Sequence, residues 1–160
     1  MRKILLRCGA AALILGFLAI HVLDVTAQEA SAKKEIRVYV DRQILLAFDG
    51  GKQIYRFDVV TGKEGKETVA GTYKIFRKEQ KYVSKTYNAE MPYTMFFTSD
   101  GKAIHGTLMA PLRSYLKSFG ADSIGSQGCV GLTDDNAKVL FEWAPKGTRV
   151  VIIHGEEDKD

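Results

Sequence analysis

The chain has 160 residues, 46% of them hydrophobic and 26% charged, with a formal net charge of +4. Those values fit one globular domain and exclude a wholly disordered chain. Three prolines, two cysteines and three histidines exclude a Pro-rich linker, a disulfide scaffold and a four-thiolate zinc finger, and no metal or cofactor site is expected.

Residues 1–27 read as a secretory signal. Arg2, Lys3 and Arg7 precede an apolar run from Gly9 to Ile20, and Val25-Thr26-Ala27 offers small residues for cleavage after Ala27. The run is shorter than the ~20 residues that span a bilayer comfortably. An uncleaved anchor is the alternative. Arg7 before Cys8 argues against a lipid-modified cysteine. Export to the periplasm or cell envelope is therefore expected. Without residues 1–27, which hold three basic residues and one acid, the balance falls from +4 to +2. That is too even for a nucleic-acid partner, which needs a dense basic face.

Residues 28–35 read as a flexible lead-in. Ile36, Val38 and Val40 alternate with Arg37, Tyr39 and Asp41 and predict a half-buried strand. A second strand, Ile44 to Phe48, meets the turn Asp49-Gly50-Gly51 and returns over Ile54 to Val60. The charged segment Lys63 to Ala70 is a loop, and Thr72 to Arg77 reads as one strand. Lys81 to Met91 is irregular and suits a flap, with Tyr82 and Tyr87 as lid residues. Tyr93 to Thr98 and Lys102 to His105 flank the turn Ser99-Asp100-Gly101.

Leu112, Tyr115, Leu116 and Phe119 recur at helical spacing, with Gly120 as the stop. Thr133 caps a second helix, Asp134 and Asp135 suit its dipole, and Ala137, Leu140 and Phe141 form its inward stripe. Trp143 on that helix is assigned to core packing. Pro145 ends the helix, and Arg149 to Ile153 is the closing strand before an acidic tail at 155–160. The pattern predicts one mainly β domain, residues 36–154, with two short helices.

Cys129 is the one thiol of the mature chain. In an oxidising compartment it is buried and inert, paired between molecules, or kept for its reactivity. Its neighbours Gly125, Gly128 and Gly131 allow close approach of a ligand and favour reactivity. A thiol nucleophile needs a base. Of the two histidines outside residues 1–27, His105 ends a predicted strand before Gly106, whereas His154 reads as a surface residue.

Taken together the motifs resemble the YkuD-type L,D-transpeptidase catalytic domain of bacterial cell-wall enzymes. Ser126-Gln127-Gly128-Cys129 is similar to the family's Ser-His-Gly-Cys nucleophile motif, and Ile104-His105-Gly106-Thr107 to its His-Gly segment. Met91-Pro92-Tyr93, Ala70-Gly71-Thr72-Tyr73 and Lys146-Gly147-Thr148-Arg149-Val150 resemble three further family stretches in the right order.

The resemblance implies a β-sandwich-like fold and a thioester mechanism on peptidoglycan stem peptides. Cys129 would be the nucleophile and His105 the general base, oriented by the Gly106 carbonyl. Backbone N–H groups around Gly128 and Cys129, flanked by Ser126 and Gln127, would form the oxyanion hole. The acceptor would be an amine of a second stem or of a wall-anchored protein, or water in a carboxypeptidase. A catalytically silent wall-binding module is a third reading.

Gln127 stands where the family has a second histidine, and Gly131 where many members have arginine or asparagine. Tyr93, Met95, Thr107 and Gly131 are candidate substrate contacts. The alternation of Tyr93 and Met95 with Phe97 equally suits core packing. Arg113 or Lys117 could replace the missing charge or could form a solvated helix face.

Overall fold

The computed structural model describes residues 33–121 and 123–155, with only the backbone of Ser118. The expected signal segment, most of the expected lead-in and the expected acidic tail beyond Gly155 lie outside the described residues. Among the described residues no helix is long and apolar enough to cross a membrane.

The first sheet has five strands in the order β3-β2-β1-β11-β4. They are β1 (Lys34–Tyr39), β2 (Ile44–Asp49), β3 (Lys52–Asp58), β4 (Gly71–Lys74) and β11 (Arg149–Ile153). β1 pairs with β11 in parallel, Ile36 opposite Val150 and Val38 opposite Ile152. The strand starts at Lys34, inside the expected lead-in. Lys34 and Glu35 are already paired with Asp49 and Arg149, and Glu35 adds ion pairs to Arg37 of its own strand at 2.6 Å and to Arg149 on β11 at 3.0 Å.

The second sheet runs β10-β9-β8-β5, from β5 (Arg77–Glu79), β8 (Thr94–Phe96), β9 (Ala103–Gly106) and β10 (Val130–Leu132). β6 (Val83–Ser84) and β7 (Ala89–Glu90) form a short ribbon of their own at the expected flap. The segment predicted as one strand, Thr72 to Arg77, is divided. β4 ends at Lys74, and β5 starts at Arg77 in the other sheet. Ile75 is buried at the crossing, where its N–H bonds Thr148 O and the next N–H bonds Phe96 O. Alternation alone cannot register such a change of sheet, because both halves keep the same period.

Both sheets and one helix share a core. Ile36, Val38, Leu45, Val150 and Ile152 come from the first sheet, and Met95, Ile104, Val130 and Leu132 from the second. Ala137 and Leu140 come from the helix α2 (Asp134–Trp143), with Phe141 and Trp143 packed against the cluster. Thr133 caps α2 by accepting from Asn136 N–H at 3.3 Å. The C-terminal carbonyls of α2 have no basic residue of their own helix in the last turn. Lysines from two strands meet them instead: Lys78 Nζ donates to Phe141 O at 2.5 Å and Ala144 O at 2.7 Å, and Lys34 Nζ to Trp143 O at 2.8 Å.

The other helix, α1 (Ala110–Ser118), is oriented the opposite way from an ordinary amphipathic helix. Ala110 and Ser114 are buried, whereas Leu112, Tyr115, Leu116 and Phe119 are exposed, Phe119 at 75% and the preceding Leu108 at 86%. Gly120 follows with φ of +85°, and its N–H closes on Lys117 O at 3.0 Å.

Candidate active site

β9 and β10 lie side by side in parallel, with Gly131 opposite His105 and Val130 opposite Ile104. Successive side chains of a strand alternate in direction. Cys129, two residues before Gly131, therefore projects from the same face as His105. Both side chains line a cleft of about 550 Å³. Its walls come from the flap (Ser84, Tyr87, Glu90), from Lys63, from Arg113 of α1, and from the 123–127 segment.

His105 Nδ1 lies 2.8 Å from Gly106 O. A carbonyl oxygen only accepts, so Nδ1 carries the proton and Nε2 keeps its lone pair. Burial holds the imidazole below its ordinary 6.5, against the upward pull of the Gly106 carbonyl and of Asp134. Burial likewise pushes the Cys129 thiol above its ordinary 9.0, with the Ala103 backbone and Lys102 acting in the other direction and Asp100 adding a smaller upward push. Near neutral pH the two groups form a neutral thiol and a neutral imidazole. The sulfur-bearing residue packs with Met91, Phe96 and Ala103, and Tyr82 joins this cluster edge-on to Phe96 at 5.1 Å. Tyr82 is thus a packing residue, whereas Tyr87 is exposed on the flap and faces the cleft.

The turn before Cys129 is tied down from inside. Ser126 Oγ donates to Cys129 O at 2.5 Å and accepts from Gly128 N–H at 3.1 Å. Gly128 has φ of +97°, the left-handed region that other residues adopt at a cost. Its N–H donates to Ser126 Oγ at 3.1 Å, so it would serve the oxyanion expected from the sequence only once that bond is released. Gln127 lines the cleft and has a carboxamide able to donate.

Three further expectations change. Met95 is wholly buried in the main core, and Tyr93 packs on that core edge-on to Phe141 at 5.8 Å. Neither lines the cleft, so both are structural. Gly131 is buried, exchanges hydrogen bonds with Val60 at 2.8 and 2.9 Å, and is not among the residues lining the Cys129–His105 cleft. A Cβ there would meet Val60 Cγ1 at 2.8 Å and Thr107 Cγ2 at 2.9 Å, so the position is closed to a side chain. His154 is exposed, as expected, and its Nε2 lies 2.7 Å from Thr68 O. Thr107 does line the cleft. Of the two candidate cations, Arg113 faces it, while Lys117 Nζ bonds Gly62 O and lines a separate cavity of about 350 Å³.

Sequence reasoning missed the support behind the nucleophile turn. Gln43, Thr61 and Thr68 are buried polar residues. Thr68 Oγ1 donates toward Gly128 O at 3.2 Å and accepts from Gly62 N–H at 2.9 Å. Gln43 Nε2 donates to Thr61 Oγ1 at 2.7 Å, and Thr61 N–H returns a bond to Gln43 Oε1 at 3.0 Å. Thr61 O then accepts from Ser126 N–H at 2.9 Å. A threonine in a charged loop and a glutamine after a strand carry no signal of burial in sequence, because only the tertiary fold brings them together.

Comparison with known proteins agrees with this architecture. The family model of the L,D-transpeptidase catalytic domain, YkuD, matches residues 33–152. The chain therefore belongs to the L,D-transpeptidase catalytic-domain family. Among solved structures, an L,D-transpeptidase from Stackebrandtia nassauensis is 32% identical with a TM-score of 0.65, over 76% of this chain and 55% of that one. A mutant of the Enterococcus faecium L,D-transpeptidase is 25% identical with a TM-score of 0.63, over 76% of this chain and 50% of that one. An L,D-transpeptidase from Mycobacterium smegmatis, at 18% identity and a TM-score of 0.65 over 76% and 58%, shares the fold. The chain spans little more than half the length of these structures. No curated protein matches it.

Proposed function

We propose that this chain is a peptidoglycan L,D-transpeptidase working through a thioester on Cys129. The observation that carries the reading is the cleft itself. It holds one thiol and one imidazole on the same face of two paired strands, and the imidazole is fixed with Nε2 free to accept a proton.

The chemistry follows from two neutral partners. As Sγ attacks the carbonyl joining the third residue of a stem tetrapeptide to the terminal D-alanine, Nε2 takes the thiol proton. Charge develops on the carbonyl oxygen. The Cys129 N–H and the Gln127 carboxamide are the donors assigned to it, and one such donor is worth about 2.7–4 kcal/mol in rate. The imidazolium then protonates the amine of the departing D-alanine. The amine of a second stem attacks the thioester, its proton passes to Nε2 and then to sulfur, and a cross-link replaces the C–S bond. Lys63 and Arg113 at the cleft walls suit the carboxylates of stem peptides, and Glu90 suits an incoming ammonium. Because stem peptides lie outside the cytoplasmic membrane, this reading places the protein in the cell envelope, in keeping with the signal-like segment 1–27.

The test is incubation with purified tetrapeptide muropeptides, followed by mass spectrometry of protein and products beside Cys129→Ala. A protein adduct lacking D-alanine and cross-linked dimers, both missing from the variant, are expected. An adduct that resolves only to tripeptide makes the protein a carboxypeptidase. Absence of any adduct or turnover overturns the enzymatic reading and leaves a wall-binding module.

A further inference from the structure

The cleft face of β9 presents His105, and the opposite side of the next residue meets the first turn of α2. There Asp134 Oδ1 is buried and, with Thr148 Oγ1, is one of two such side-chain oxygens among the described residues without a hydrogen-bond partner. It sits against Gly106: a Cβ built on that glycine would lie 2.6 Å from Oδ1 and 3.1 Å from Asp134 Cα. Only a residue without a side chain lets the carboxylate come this close to the backbone that anchors the imidazole.

The helix does not need this oxygen buried. Thr133 already supplies the cap, and Asp135 supplies a second negative charge to the first turn. A buried, unpartnered polar oxygen is costly, so its retention calls for a compensating role. The surroundings of His105 indicate one. Cys129, Glu90 from the flap, Lys63 from its loop and Arg113 from α1 line the cleft that His105 faces. Asp134 from α2 approaches from behind, and it opposes the effect of burial on the imidazole.

We propose that Asp134 is a positioning residue for His105, its carboxylate held behind Gly106 to stabilise the imidazolium that forms when Nε2 takes the Cys129 proton. This rests on the functional reading above. Asp134 touches no substrate. It acts by making proton transfer from the Cys129 thiol to the His105 imidazole less uphill, and it makes Gly106 a steric requirement of the site as well as the source of the anchoring carbonyl.

The experiment compares wild type, Asp134→Asn and Asp135→Asn by the rate of Cys129 acylation with imipenem across acid and neutral pH. His105 is also titrated by NMR in each protein and in the same variants carrying Cys129→Ala. Asp134→Asn keeps the shape and removes the charge. Expected are an acylation plateau lower by about tenfold, the equivalent of one unit of imidazolium stabilisation, and an acid limb and a His105 titration both moved to lower pH. Asp135→Asn, which weakens the same helix end, leaves both profiles in place. Superimposable profiles for wild type and Asp134→Asn overturn the proposal, as does an equal shift in Asp135→Asn. If wild type fails to acylate, the functional reading is what has failed. The His105 titration in the Cys129→Ala background still reports on Asp134, and an unmoved titration there overturns the proposal by itself.

Discussion

Cys129 and His105 are pushed by burial in opposite directions, the thiol up from 9.0 and the imidazole down from 6.5. Two different pH profiles follow. Alkylation by iodoacetamide needs a preformed thiolate, so its rate should be low at neutral pH and climb only in alkali. Acylation by a β-lactam uses Nε2 as the base, so it should persist to pH values below 6.5, until the imidazole is protonated. Measuring both rates on one preparation checks this, and coincident profiles would instead indicate a thiolate–imidazolium pair. Stability carries the same signature. The unfolded chain takes up a proton at His105 below about 6.5 before the folded one does, so this contribution is lost as pH falls through that range. The unfolded thiol ionises near 9 while the folded one stays protonated, so stability is also lost as pH rises beyond that value.

At the scale of elements, the loop from Thr61 to Thr68 behaves as the rear support of the nucleophile turn. Thr68→Val removes the hydroxyl from between Gly62 N–H and Gly128 O while keeping the volume. A loss of about 1–3 kcal/mol in unfolding free energy is expected from the buried N–H left behind, together with slower acylation at an unchanged pH profile. Thr68→Ser should restore both. Denaturant unfolding and acylation kinetics on the two variants make the check.

The capping of α2 offers a separate test. Lys78→Met should lower stability by about 1–2 kcal/mol, through the loss of charge-assisted bonds to two helix-end carbonyls. Thermal unfolding reads it out, with acylation by imipenem unaffected.

These elements also divide by how far they could be read in advance. The alternation of Ile36 and Val38, the Asp49-Gly50-Gly51 turn and the Thr133 cap are local signals, and each appears where the residues indicate, although Val40 already lies in the turn after β1. The thiol and imidazole were legible through their glycine-rich settings. The Gly128 N–H turned out to be occupied because Ser126 folds back on its own turn, a matter of one rotamer. The helix α1 was legible as a helix but not in its orientation. Periodicity finds a stripe, and only the rest of the fold decides which way it faces. The buried trio of Gln43, Thr61 and Thr68, and the unpartnered Asp134 oxygen, are products of chain crossing and have no local mark.

At the scale of the molecule, the first strand described is hydrogen-bonded to the last. β11 lies between β1 and β4, so it closes the larger sheet and supplies Val150 and Ile152 to the core. During synthesis β1 can pair with β2 at once, but its other edge waits for β11, more than a hundred residues later, and the emerging domain cannot bury its core vectorially. Contacts so distant in sequence make folding slow and all-or-none. A chain ending at Gly147 should be protease-sensitive and lack the far-UV dichroism of the whole domain, and adding back residues 148–155 as a free peptide should restore little, since the two ends would no longer share one tether. A sheet whose outer members are spoken for only once β11 arrives cannot set piecemeal: it stays open until that strand is available and commits to its shape in one event.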